Sequence, residues 1–467
     1  MTTQELFGQQ RISRVLFRLA PPVMFSQLIQ ALYNIVDSFF IGRSGESGLT
    51  ALSIIYPVQL LMIALAVGTG VGINTAMARK MGCGRNEESQ KFAGMATPLA
   101  LILWAIFALA GFFFMPFYAK LGSSTTEVIN DVIVYGRIVC IFSFGLFLES
   151  GWTKVLQSEG NMRLPMLAQI IGAGVNILLD PVLIFGFGSF PAMGIKGAAY
   201  ATIIGQIAAA LVVMKKGFRH SPKFHFYIPY SALIFKLGIP NIFMQSAYTF
   251  YILGLNLILK TFSDQAVTAL GLYYKWQAFF FIPLGSMQTC VVPVISYNYG
   301  SGQLERCRKT VMESILFGMG LMFLGTLCFE FIAEPMFRVF TKDEQVIKIG
   351  VWAFKFIGVS FIPMVTSLMF PVVFQALGYA FKSSFLTVFR TVILFVPLGY
   401  AFSRLGLQYF WLTFPITESL TTLAGLFFYK KWIYSATATA SISTSAPFGK
   451  AETSKQLRAG FETKYFS

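Results

Sequence analysis

Histidine and cysteine are scarce in this chain. Two histidines, His220 and His225, and five cysteines, Cys83, Cys140, Cys290, Cys307 and Cys328, show no paired spacing. Neither a metal cluster nor a disulfide framework is indicated, and no cofactor is expected. Charge is also sparse: Asp, Glu, Lys and Arg make up 12% of the residues, about half the ~25% of a soluble domain. Of these, 36 are basic and 20 acidic, for a net charge of +16. Such an excess raises the question of a nucleic-acid partner. The basic residues are spread over alternate short loops, however, and no segment outside the apolar stretches is large enough to read a base, so no nucleic acid is expected. A cleavable signal peptide is not expected either, because the first apolar stretch follows a polar, basic segment and is too long for a signal core.

What the chain has in excess is apolar surface. Hydrophobic residues make up 55%, with 50 Phe in 467 residues and a mean hydropathy of +0.66, so the partner is the lipid bilayer. Long apolar segments read as helices at about 15–42, 48–78, 92–118, 129–157, 163–187, 194–214, 230–261, 265–297, 310–333, 346–377, 383–403 and 407–429. Each reaches the roughly 20 residues needed to cross a bilayer. Basic residues mark every second boundary: Arg11, Arg14 and Arg18, then Arg79, Lys80 and Arg85, then Lys154 and Arg163, then Lys215 to Lys223, then Arg306 to Lys309, then Lys430 and Lys431. By the positive-inside rule both termini are cytoplasmic and the protein is a multi-pass protein of the cell (inner) membrane.

The second half repeats the first at a constant offset of 218 residues. Leu19, Pro22, Phe25 and Gln27 fall opposite Leu237, Pro240, Phe243 and Gln245, and Gln157 and Gly160 opposite Gln375 and Gly378. The expected fold is therefore an all-α polytopic membrane protein of twelve transmembrane helices in two six-helix bundles, related by a pseudo-twofold axis along the membrane normal. The expected organisation is a cytoplasmic N-terminal segment (1–14), an N-terminal lobe (15–217), a cytoplasmic linker (218–230), a C-terminal lobe (231–432) and a disordered cytoplasmic tail (433–467).

Polar groups at membrane depth are costly and mark function. Helix 1 carries Gln27, Gln30, Asn34 and Asp37 on one face. Helix 5 carries Gln169, Asn176 and Asp180 on one stripe, with Pro181 directly after the acid, and helix 6 carries Thr202 and Gln206. Two carboxylates, an amide and a hydroxyl in one half suit a hard cation or a shared proton. The alternative is that they hydrogen-bond helices together, with Pro181 leaving carbonyls to satisfy.

At these residues the chain resembles the multidrug and toxic compound extrusion family, cation-coupled antiporters of twelve helices in two lobes. The matching stretches are 34–42 (NIVDSFFIG), 70–90 (GVGINTAMARKMGCGRNEESQ), 156–165 (LQSEGNMRLP), 176–184 (NILLDPVLI) and 194–202 (GIKGAAYAT), within about residues 11–432. The resemblance implies an amino-terminal cation site of Asp37, Asn176 and Asp180, with Thr202 as a fourth ligand, holding Na+ if the protein is sodium-coupled and otherwise H+. Some members carry acids on helices 7 and 10. Here helix 7 offers Gln245 and Asn256 as polar cavity residues, and helix 10 has no carboxylate.

By the repeat offset Asp37 falls opposite Leu255 and Asp180 opposite Leu398, so only the first half keeps the acids. The second half instead places Lys275, Lys355, Arg390 and Glu418 at membrane depth. Arg390 and Glu418, on consecutive helices, suit an ion pair, with a substrate contact as the alternative. Lys275, Arg390 and Glu418 form a candidate second-lobe charged site. Abundant Phe, Met and Tyr suit a pocket for varied cationic or amphipathic molecules, although the same residues fill membrane helices generally. The expected function is a secondary active transporter, a monomer and not an enzyme, which exports small organic compounds in exchange for Na+ or H+ by alternating access. A lipid-precursor flippase would call for a cavity lined by several arginines, and only Arg137 and Arg390 lie deep. A membrane enzyme lacks a His, Cys or metal constellation to accompany the acids, and a channel would conduct without a counter-substrate.

Overall fold

In lipid every backbone polar group must find an internal partner, so the apolar segments fold as helices. The computed structural model describes residues 2–44, 46–187 and 191–444. Its spans are α1 (Ile12–Ser44), α2 (Glu46–Gly82), α3 (Asn86–Gly122), α4 (Thr126–Ile141 and Phe144–Ser158), α5 (Arg163–Phe185), α6 (Ile195–Gly217), α7 (Tyr227–Lys260), α8 (Asp264–Phe280 and Ile282–Gly300), α9 (Leu304–Phe331), α10 (Glu344–Ala376), α11 (Ala380–Ser403) and α12 (Thr413–Thr444). Among the described residues, nine helices are long and apolar enough to cross a membrane by themselves, and two bent pairs bring the number to 11. The twelfth span is α12, which carries Glu418, Lys430 and Lys431.

Two spans expected to be continuous are broken. The segment 129–157 bends by 43° and the segment 265–297 by 51°. In α8 the cause is Pro283, which removes a backbone donor and crowds the carbonyl of Phe279. In α4 the Ser143 hydroxyl donates to the carbonyl of Cys140 at 2.8 Å, a local bond that competes with the helical ladder. At the other end of the chain α12 runs on to Thr444, through part of the expected tail, because its Ala-Thr run holds no Gly or Pro before Pro447. Residues 445–467 lie outside the described residues.

Met1–Thr422 is one compact unit, and everything that positions the site lies within it; Leu423–Ser467 is a second. In the first unit the repeat appears as paired contacts. A β-carbon at Gly82 would run into the carbonyl of Tyr297, and one at Gly300 into the carbonyl of Arg79. Both pairs obey the 218-residue offset, so the two halves meet in the self-complementary manner of a two-fold. The turns that follow these helices match as well, with φ of 75° at Gly84 and 76° at Gly302. These contacts, together with that of Gly72 on the Ile234 carbonyl, close the halves backbone to backbone at the end where α1 begins, the near end. A short helix at Glu5–Gln9 lies there too, held from both halves: Thr3 donates to the Glu159 carbonyl at 3.2 Å, and Arg306 to the carbonyls of Phe7 and Gln10 at 2.7 Å each.

Candidate functional site

The site begins with how α5 and α6 touch. Gly172 and Gly205 each face the other's backbone, and Gly197 faces the Leu183 carbonyl, so the two antiparallel helices pack without intervening side chains. In this register Gly205 also meets Asn176, which sets Thr202 near the Asn176 level of α5, about one turn from Asp180. Pro181 has no N–H to give the carbonyl of Ile177, which frees that oxygen one turn below the acid. α1 packs against α5 and closes the third side.

There the carboxyl groups of Asp37 and Asp180 come within hydrogen-bonding reach of each other, at 8% and 0% exposure. Two carboxyl groups can share a hydrogen bond only when one of them carries a proton. Asn176 Nδ2 donates to Asp180 Oδ1 at 3.5 Å. Asp37 Oδ1, Asp180 Oδ2 and Asn176 Oδ1 are buried and, the contact between the two acids aside, have no hydrogen-bond partner among the described residues, while the Thr202 hydroxyl is within hydrogen-bonding reach of Tyr135. Buried polar atoms are rarely left so, and these three oxygens, two of them from the acids, form a donor set for a hard cation or a proton. Tyr33 and Tyr135 stand close enough to Asp37 to feel its charge, and the Tyr135 hydroxyl accepts from Gln59 at 3.4 Å.

Not every expected residue joins this cluster. Gln206 on α6 is near it, with a buried, unpartnered Oε1. Gln27 turns to the other half, where its Oε1 accepts from Ser286 Oγ at 3.3 Å, while Gln30 and Asn34 are exposed along α1. In the second half Gln245 donates to Asn241 Oδ1 at 3.1 Å, and Asn256 Oδ1 is buried without a partner. Arg390 and Glu418 pair at 2.6 Å, both buried, with Ser367 donating to the same carboxylate. Lys275 is not part of that pair: it is exposed, with its amine 5.1 Å from the ring of Phe340, and Lys355 is exposed as well. Each is long enough to lead its amine out of the bundle. Arg137 donates to the Phe112 carbonyl at 3.1 Å.

Sequence reasoning missed Glu149. It is 7% exposed on α4, and its Oε1 accepts from Thr153 Oγ1 at 2.7 Å and Gln169 Nε2 at 3.3 Å. The available signal was a lone acid inside the apolar run FGLFLESGW.

Comparisons with known proteins bear on the family and the fold. A family model described as MatE matches twice, at residues 22–182 and 240–401, the two matches starting 218 residues apart. The chain is 27% identical over 425 residues to a protein of Shewanella oneidensis named FAD transporter, covering 88% of this chain and 93% of the other. It is 24% identical over 429 residues to the multidrug export protein MepA of Staphylococcus aureus, covering 90% and 94%. Among solved structures it matches an outward-facing multidrug resistance MATE family transporter of the MOP superfamily with a TM-score of 0.85 at 24% identity, covering 94% of this chain and 99% of that one.

Proposed function

This chain belongs to the MatE family, a family of membrane transporters rather than enzymes, and we propose that it exports small organic compounds in exchange for Na+ or H+ bound at Asp37, Asn176, Asp180 and Thr202. One observation carries the proposal: two carboxyl groups are buried within hydrogen-bonding reach of each other, and three oxygens of the cluster, one from each acid and Asn176 Oδ1, have no other protein partner among the described residues. An apolar bundle does not keep such a group for packing alone. Ion entry neutralises the pair and changes how α1 packs on α5, and the halves then exchange closure at one end for closure at the other. With cytoplasmic termini, the near end closed by Gly82 and Gly300 is the inner one, so this conformation faces outward.

The cargo on this reading is cationic or amphipathic, in keeping with the multidrug export relative. The name of the Shewanella relative favours a second reading, an exporter of one flat aromatic anion. Its observation here is Arg390, set over the rings of Tyr251 and Phe395 at 5.7 and 5.0 Å. Efflux of ethidium and of flavin nucleotides from proteoliposomes, under an imposed sodium gradient and an imposed pH gradient, tests both. Gradient-driven ethidium export supports the first reading, flavin export alone the second, and gradient-independent flux of either contradicts antiport.

A further inference from the structure

Glu149 has no role in the account so far, and a buried carboxyl group needs one. It forms no ion pair among the described residues: Lys154, one turn on, feels its charge but gives its amine to Gln157 Oε1 at 2.9 Å. The groups that bond it, Thr153 and Gln169, point O–H and N–H at one of its oxygens. Such a set is too poor in lone pairs to cage a metal cation, and it suits a group that takes up and gives away a proton.

Its position relative to Asp180 follows from α5. Gln169, Asn176 and Asp180 are separated by seven and four residues, which returns all three to one stripe of the helix, spanning about 16 Å. Asp180 is at one end of that stripe, against Asp37. Gln169 is at the other, bonded to Glu149. Between them α6 adds Gln206, whose backbone packs against Gly145, one turn from Glu149 on α4. Gln206 Oε1 and Asn176 Oδ1 are both buried and have no protein partner. Buried oxygens in an apolar medium are commonly satisfied by water held between them. The stripe is therefore a line of polar groups with a proton acceptor at each end.

We propose that Glu149 is the near-end proton station of the first half: a proton leaving the Asp37–Asp180 pair crosses the Asn176–Gln206–Gln169 line through bridging water and is received by Glu149 before release on the side where α1 begins. This rests on the reading of Asp37 and Asp180 as the coupling site. The transfer breaks an O–H bond at an aspartic acid and forms one at Glu149, with each water on the line returned to neutrality. The charged group beside it is Lys154, with Cys290 of α8 beyond. α2, α5 and α6 present the neutral Asn74, Gln169 and Gln206 on this side.

The test uses the full chain in proteoliposomes with pyranine inside and ethidium as cargo. Glu149→Gln keeps size and hydrogen bonding, so a purely structural Glu149 predicts parental transport. The proposal predicts at least a tenfold fall in pH-driven ethidium export, unchanged ethidium binding, and partial recovery in Glu149→Asp. Infrared difference spectra across a pH step provide an arm that needs no cargo: a carboxylic acid band should vanish in Glu149→Gln, and the band from Asp37 and Asp180 should remain. Driven export within twofold of the parent, loss of no infrared band, or export that follows only a sodium gradient each overturns the proposal. If Asp37→Asn blocks export and Glu149→Gln does not, the near-end station falls and the coupling site stands. If Asp37→Asn has no effect, the coupling site itself falls.

Discussion

At α5 and α6 the first half sets Asp180, Asn176 and Thr202 near Asp37, with three buried oxygens that find no partner outside the acid pair among the described residues, whereas at α11 and α12, their counterparts by the repeat offset, the second half sets Arg390 against Glu418. The positions opposite Asp37 and Asp180 are Leu255 and Leu398, and the position opposite Glu149 is Ser367, which donates to Glu418. Packing differs in the same sense. The interior of the first half includes Ala51, Ala66, Ala100, Ala119, Ala198 and Ala199, small side chains that let helices slide against each other. That of the second includes a buried aromatic group in which Phe329 stacks on Phe354 at 4.0 Å and touches Phe361 at 4.6 Å. Around Arg390 the helix of α11 widens into a π-helical stretch, Phe389–Phe395. A charge matched within the protein is bound in every state, so it cannot report an ion gradient. An acid pair that the protein leaves unmatched can. The two halves are similar bundles, and among the described residues the buried acid pair lies in the first.

Substitutions separate the two halves most sharply at the acids. Asp180→Asn should be made and inserted like the parent, retain cargo binding and lose gradient-driven export by two orders of magnitude or more, because a site neutral in every state has no differential affinity for a cation. Transport assays beside a binding titration check this. In the second half Glu418→Gln should instead act on stability. It leaves the Arg390 charge buried without its partner, at a cost of about 3–5 kcal/mol, read as a lower melting temperature, and the double change Arg390→Met with Glu418→Leu should recover most of it.

Between these extremes lies the seam the halves share. Gly82→Val or Gly300→Val places a side chain against a backbone carbonyl of the other half, so each should weaken near-end closure and raise the fraction open there. Distances between spin labels at the near end read the shift, and equal effects from the two are expected of a pseudo-twofold contact. The smallest effect belongs to Lys275→Ala. The residue is exposed and its amine lies 5.1 Å from the ring of Phe340, a contact worth about 0.5–1 kcal/mol. Export should stay parental, and a loss of coupling would return Lys275 to the candidate site.

Much of this was legible before any coordinates. Lipid forces long apolar segments into helices, and the constant offset implied two bundles. Asp37 and Asp180 could be paired because neither tolerates lipid. Glu149 was harder: its meaning depends on Gln169 lying beside it, a relation between helices that no local pattern encodes. Lys275 lies apart from the Arg390–Glu418 pair, a separation the sequence does not show because depth along a helix does not say which way a long side chain leads its charge. The break in α8 was readable from Pro283, while that in α4 depends on a single serine hydroxyl.

The central claim is that ion movement and cargo movement are linked at the acids of the first half. Its most direct test is to load proteoliposomes with cargo and measure the counter-movement of protons or sodium that export produces in the parent, in Asp37→Asn, and in the double variant Arg390→Met with Glu418→Leu. The account predicts cargo-dependent ion movement in the parent and in the second-half variant, and none in Asp37→Asn. Cargo-dependent ion movement at the parental rate in Asp37→Asn would contradict it.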